Sequence, residues 1–340
     1  MLKFVKFLFQ SAVHCVVSLF VLWCNILSEA LRLLMKKKAG IVRTNSVIVI
    51  TGCDSGFGEM AAVQLNQMGF HVVACCLTEK GCLSIKDKVA LSVVCNVTKE
   101  ADIAVVVGKT SAYCSANGVK LWGVLNNAGV ADGGALDWTT MDTYRFVFEV
   151  NTFGVIAVTK AFLPLLKRNP GARVVNLCSL AGLMSAPCMT AYNASKHAVE
   201  GFAKGLRSEL RPWDIYICNV NPGFCNTPIL AAGTSAMERG FLAGPKEVQE
   251  QYDLAQVQAS NHLIDSVKEN PQLVIDEILD AMTDAAPCMW YFPGVQSLFM
   301  RCCVNFNGAS SDILNGWVAL PAPPVPKPEA VKKHRADRVL

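Results

Sequence analysis

Six short apolar runs recur through the middle of the chain, each followed by a longer stretch of mixed polarity, and this alternation constrains the fold more than any other feature. The runs are Ser46–Thr51, His71–Leu77, Leu91–Val94, Leu121–Leu125, Arg173–Cys178 and Ile215–Val220. Each is nearly continuous in apolar residues rather than alternating, which predicts strands covered on both faces, as in a parallel sheet. The stretches between them, Gly58–Met68 and Asp142–Lys167 among them, have the length of crossover helices. Strand and helix in this rhythm predict an α/β fold, a doubly wound parallel sheet flanked by helices in a single domain. Met289–Phe292 offers a final strand. The irregular, polar segment Ala231–Leu279 is placed to cover a substrate beyond the carboxyl ends of the strands.

Apolar residues make up 52% of the chain and charged residues only 17%, an excess that a sheet core alone does not absorb. From Phe7 to Ser28 there is no Asp, Glu, Lys or Arg. As a helix this run would span about 33 Å, enough for a bilayer core. Lys3 and Lys6 precede it, as in a secretory signal, but the run is long for one and no A-x-A cleavage site follows. A transmembrane anchor with its basic linker over residues 1–40 is the preferred expectation. Arg32, Lys36, Lys37, Lys38 and Arg43 after it predict a catalytic domain facing the cytosol. Residues 41–294 form the expected catalytic domain, and 295–340 an apolar, then proline-rich and basic, extension. A net charge of +4 gives no ground for a nucleic-acid partner. Fifteen cysteines, with no C-x-x-C pair and no zinc-like Cys/His spacing, predict a reduced compartment and no metal site.

The first strand runs into Gly52-Cys53-Asp54-Ser55-Gly56-Phe57-Gly58. Glycines there permit a tight turn and close approach of backbone N–H groups to a pyrophosphate, next to the positive end of a helix. A purely structural turn carries the same glycines; placement after the first buried strand of a βαβ pattern favours the dinucleotide reading. The second strand has no acid at its tip before Glu79, and no Arg or Lys there or in the loop to receive a 2′-phosphate. Asp54 would repel such a phosphate. NAD is therefore the expected cofactor, with Lys80 the one nearby cation that leaves NADP open.

Tyr192 and Lys196 stand four apart, one helical turn, so the ammonium lies beside the phenol and favours its ionised form. Such a tyrosine can take the proton of an alcohol as hydride leaves the carbon. Ser179, at a strand end, is placed to hold the same oxygen. Y-x-x-x-K alone is common on ordinary helices; its company here gives it weight.

With the glycine loop, Asn126-Asn127-Ala128-Gly129, Ser179 and Tyr192–Lys196 in this order, the chain resembles the short-chain dehydrogenase/reductase family over about residues 46–292, whose fold is Rossmann-like. The resemblance implies catalytic roles for Asn151, Ser179, Tyr192 and Lys196. Asn151 would support a proton relay through the lysine, and Lys196 would bind the nicotinamide ribose. It also implies cofactor contacts from Gly52, Asp54, Ser55, Gly56, Phe57, Gly58, Leu77, Asn96, Val97, Asn127, Ala128, Gly129, Tyr192, Lys196, Pro222, Gly223 and Thr227. Asn96 departs from the aspartate usual there. The loop spelling and Leu77-Thr78-Glu79-Lys80-Gly81 resemble the subgroup of retinol dehydrogenases, type 2 11β-hydroxysteroid dehydrogenase and 3-hydroxybutyrate dehydrogenase. That implies an NAD-dependent oxidoreductase interconverting hydroxyl and carbonyl on a lipophilic steroid or retinoid. It also implies membrane association, at the endoplasmic reticulum or in mitochondria, and a homodimer or homotetramer. The alternatives are a small hydroxyacid dehydrogenase, for which Arg239, Lys246 and Lys268 are the available cations, and a non-catalytic cofactor-binding scaffold.

Overall fold

The computed structural model describes residues 43–297, with Trp23 and Leu27 ahead of them. Apart from those two residues the expected anchor, and most of the C-terminal extension, lie outside the described residues. Seven strands make one sheet: β1 (Ser46–Thr51), β2 (His71–Cys76), β3 (Leu91–Val94), β4 (Lys120–Asn126), β5 (Arg173–Leu177), β6 (Tyr216–Val220) and β7 (Trp290–Tyr291). Their spatial order is β3-β2-β1-β4-β5-β6-β7, every pairing parallel. The winding reverses between β1 and β4, which opens a crevice at their carboxyl ends.

Alternate residues of each strand feed two separate cores. The helices that cover the sheet and its crevice are, in chain order, α1 (Gly56–Gln67), α2 (Glu79–Ile85), α3 (Glu100–Asn117), α4 (Met141–Phe148), α5 (Gly154–Leu166), α6 (Thr190–Leu210), α7 (Pro228–Ala243), α8 (Lys246–Gln251), α9 (Leu254–Ser266) and α10 (Gln272–Thr283). Ile48, Ile50, Val72, Ala74 and Cys76 face Ala61 and Leu65 of α1, Ile85 of α2, and Ile275 and Ile278 of α10. Val47, Val49, Val73 and Cys75 face Ile103 and Val106 of α3, Phe162 and Leu166 of α5, and Ala203 and Leu206 of α6. This double covering is why the strands read as unbroken apolar runs. Each fully buried Val, Leu or Ile contributes about 1.5–3 kcal/mol relative to exposure.

The stretch Asp142–Lys167, expected as one helix, is interrupted. A single π-helical turn, Glu149–Phe153, joins α4 to α5 and turns Asn151 inward. Such turns recur at functional sites because one extra residue rotates the following face. Among the described residues, Met141–Leu166 is the one helical stretch long and apolar enough to cross a membrane, and its α5 half packs on the sheet as a crossover. The first helix begins at Gly56, two residues before the expected Gly58. The covering segment is more ordered than its sequence suggested, since α7, α8, α9 and α10 account for most of it.

At the amino edge of β5, Arg173 is 1% exposed. Its guanidinium donates to the carbonyls of Ala281, Asp284 and Gly171 and lies 4.3 Å from the Trp122 ring centroid. Burial lowers its pKa, yet these contacts tie β5 to the end of α10. The described cysteines are free thiols, and burial pushes Cys178, Cys218 and Cys225 up to about 12.

Candidate active site

At the winding reversal a cavity of about 710 Å³ opens along the carboxyl ends of the strands. Gly52, Asp54, Ser55, Gly56, Phe57, Leu77, Asn96, Val97, Asn127, Ala128, Gly129 and Thr227 line it, which gathers most of the expected cofactor residues. Gly52 and Gly56 hold φ of +71° and +63°, a left-handed backbone that only glycine adopts without strain. Gly58 serves from outside the lining: a Cβ there would sit 2.2 Å from the Gly52 carbonyl, so the turn closes only with hydrogen at that position. Asn127 pins the loop from the other side, its amide donating to the carbonyls of Thr51 at 2.8 Å and Gly52 at 2.9 Å.

Sequence reasoning found no acid at the tip of β2, and tertiary structure supplies one. The Asp54 carboxylate accepts from Leu77 N at 2.6 Å, Thr78 N at 3.0 Å and Thr78 Oγ1 at 2.7 Å. A carboxylate has about four acceptor positions, so one remains open toward the cavity that Asp54 lines. Asn96 is less free than expected: its carbonyl oxygen already accepts from the backbone and hydroxyl of Thr98.

Lys196, 5% exposed, donates from Nζ to the Leu177 carbonyl at 3.0 Å and stands 5.7 Å from the Tyr192 ring centroid. The Tyr192 phenol makes no hydrogen bond to any described residue, which leaves it available to a ligand. Ser179 follows β5, held in place as its Oγ accepts from Ala181 N. Asn151 is fully buried. Its Oδ1 accepts from Val130 N at 2.8 Å, and its Nδ2 donates to the Val130 carbonyl and Ser195 Oγ. Its side chain thus clamps the exit of β4 to α6. Pro222 and Gly223 do not line the large cavity. The Pro222 carbonyl accepts from Leu180 N, so this pair supports the Ser179 loop.

A second, narrow cavity of about 60 Å³ touches Tyr192. Cys188, Met189, Phe224, Leu230, Met237 and Ile264 supply most of its walls, with Ala131, Asp132 and Gly133 across from them. None of Arg239, Lys246 and Lys268 lines it, and Lys268 pairs with Asp265 instead. These wall residues were missed from sequence because they come from four separate segments with no shared spacing. Cys95 and Leu177, also missed, line the large cavity at strand ends. Position at a strand's carboxyl end was the signal that would have found them.

A parallel sheet with a glycine-turn crevice, a buried lysine beside an unpaired tyrosine and a serine at the next strand end together define a dinucleotide-using oxidoreductase. The model of the short chain dehydrogenase family matches residues 46–238. The chain is 34% identical to mitochondrial D-beta-hydroxybutyrate dehydrogenase of Bos taurus, over 79% of this chain and 83% of that one. It is 32% identical to retinol dehydrogenase 16 of Rattus norvegicus, over 88% and 95%. Among solved structures, a short-chain dehydrogenase/reductase from Burkholderia phymatum in complex with NAD aligns with a TM-score of 0.58 and 28% identity, covering 71% of this chain and 87% of that one. The chain belongs to the short-chain dehydrogenase family, in the subgroup of retinol and hydroxybutyrate dehydrogenases, and is an oxidoreductase acting on CH–OH groups. NAD is consistent with the cavity and with these relatives.

Proposed function

We propose that this enzyme oxidises a secondary or allylic alcohol on a lipophilic substrate, a steroid or retinoid, with NAD preferred over NADP. The observation that carries the substrate class is the wall beside Tyr192: six apolar side chains, the Thr234 hydroxyl, the carboxylate of Asp132, and no cation among the lining residues. A small hydroxyacid would bring a carboxylate into that wall with nothing to pair it and a like charge nearby. The NAD preference rests on Asp54, whose negative charge at the tip of β2 opposes a 2′-phosphate.

Bound dinucleotide supplies the nicotinamide that accepts hydride. The rest of the chemistry belongs to the chain. Ser179 Oγ and the Tyr192 phenol hold the substrate oxygen between them. Tyr192, with the Lys196 Nζ 5.7 Å from its ring centroid, acts as the base that takes the hydroxyl proton as the carbon–hydrogen bond breaks. Lys196 is fixed for that duty by the Leu177 carbonyl, and Asn151 holds the Val130 turn and the Ser195 position around it.

The proposal extends to an N-terminal anchor over residues 1–40 with the catalytic domain on the cytosolic side of the endoplasmic reticulum. It is supported by the uncharged run Phe7–Ser28 and by the basic residues after it. It extends also to a 41–294 catalytic domain and a homo-oligomer, for which the exposed apolar side chains of Met141 at the start of α4 and Phe153 at the π turn give support.

The test is NADH formation at 340 nm by the full-length protein with steroid alcohols, retinol and 3-hydroxybutyrate, using the wild type and Tyr192→Phe. Turnover of a steroid or retinol with NAD, lost in Tyr192→Phe with dinucleotide binding retained, is the expected result. Activity on 3-hydroxybutyrate alone would replace the lipophilic reading with the hydroxyacid one.

A further inference from the structure

The cavity beside Tyr192 shares part of its wall with a neighbouring one. Asp132 and Gly133 line it, and the same two residues line a second cavity of about 320 Å³ between the 132–143 segment and the end of α7. The two walls differ in chemistry. Around Tyr192 the lining is mostly apolar, with Asp132 and Thr234 its polar members besides the phenol, whereas the adjoining cavity gathers Asp132, Asp137, Thr139, Thr140 and Thr143. A substrate that fills both has an apolar body and a polar far end.

Most polar groups of this second cavity already have partners. Asp137 accepts from the Tyr252 hydroxyl. Thr139 Oγ1 donates to the Ala135 carbonyl at 2.8 Å, and the Thr140 and Thr143 hydroxyls bond each other at 3.0 Å. Asp132 is different. One of its oxygens accepts from Gly133 N at 2.7 Å, and among the described residues no other hydrogen bond and no cation meets the carboxylate. A half-buried carboxylate with one backbone donor keeps acceptor positions open toward both cavities, and a polar ligand group can fill them.

We infer that Asp132 is a specificity-determining residue, accepting a hydrogen bond from a second hydroxyl on a lipophilic diol whose first hydroxyl reacts at Tyr192. This rests on the oxidoreductase reading above. An ionised carboxylate accepts and does not donate, so it selects a hydroxyl at the far end. A carbonyl there finds no donor from Asp132, and a carboxylate is repelled. A mono-alcohol such as retinol covers Asp132 and leaves the Gly133 N–H as its one donor among the described residues. The substrate class this wall favours is therefore an apolar skeleton with a second hydroxyl that reaches Asp132, as in a steroid diol, with that hydroxyl retained in the product.

The test compares a steroid diol with the mono-alcohol lacking its second hydroxyl, in the full-length wild type, Asp132→Ala and Asp132→Asn. In Asp132→Ala the ratio of kcat/KM for diol over mono-alcohol falls about tenfold to hundredfold, mainly through KM, the size expected for a hydrogen bond to a charged group. Asp132→Asn falls less, because its amide oxygen still accepts. An unchanged ratio, or equal losses on both alcohols, overturns the inference. Binding of the same two alcohols to Tyr192→Phe holding NAD, with and without Asp132→Ala, gives a reading that needs no turnover. Loss of the diol preference on replacing Asp132 supports the subsite, and an absent preference refutes it. Failure of the wild type to oxidise either alcohol would instead refute the reaction assigned to Tyr192.

Discussion

Replacing Asp54 by Asn tests how this chain selects its dinucleotide. The substitution keeps the volume and removes one negative charge at the tip of β2, where the adenosine ribose lies in this fold. Unit charges 4–6 Å apart repel by about 1–4 kcal/mol at effective dielectric constants between water and a protein surface. Taking about 2 kcal/mol, the NADP:NAD ratio of kcat/KM rises about thirtyfold in Asp54→Asn. The structural cost is smaller. Asn has one carbonyl oxygen where Asp54 offered two, so either Leu77 N or the Thr78 groups lose their acceptor. Leu77 is 59% exposed, and water replaces part of that bond. A loss of about 1 kcal/mol corresponds to a melting point about 2–4 °C lower. The assay is initial rates with both dinucleotides at fixed alcohol, alongside a melting curve. A ratio that moves less than threefold in a variant with near-native melting refutes the reasoning and removes Asp54 from cofactor choice.

Three further outcomes follow from the geometry. Gly58→Ala forces a methyl to 2.2 Å from the Gly52 carbonyl, so NAD affinity measured by titration falls at least tenfold, and unchanged affinity would show that the turn has room. Arg173→Met leaves the Ala281, Asp284 and Gly171 carbonyls without this donor in a buried site, which costs about 1–3 kcal/mol in denaturant unfolding with the carboxyl-edge cavity intact. Stability also declines in alkali: Cys178, Cys218 and Cys225 titrate near 12 in the fold against an unfolded value of about 9.0, because burial disfavours the thiolate. Their folded pKa values are raised, so the contribution is whole below about 9 and is lost as pH climbs from there toward 12. A melting point flat across that window in the wild type, or equally steep in Cys218→Ala, would contradict this.

Much of the fold was legible because burial on two faces leaves an unmistakable mark. Six strands were bounded within a residue or so, and the short β7 fell inside Met289–Phe292. The interruption at Glu149–Phe153 was not legible, since a π turn needs only one extra residue and leaves the helical periodicity of its neighbours intact.

By itself the sequence determined the layer architecture, the glycine turn and the one-turn spacing of Tyr192 and Lys196, because each depends on residues close together in the chain. Tertiary structure alone decided which carboxylate occupies the tip of β2. Asp54 arrives there from 23 residues before Leu77 in sequence, a placement set by the parallel pairing of β1 with β2. It decided likewise that Asn151 serves Val130 and Ser195, and that Asp132 joins a polar cavity to the apolar wall around Tyr192. Local chemistry is written in neighbouring residues, whereas the lining of a pocket is assembled from distant segments whose meeting depends on how the sheet and helices pack.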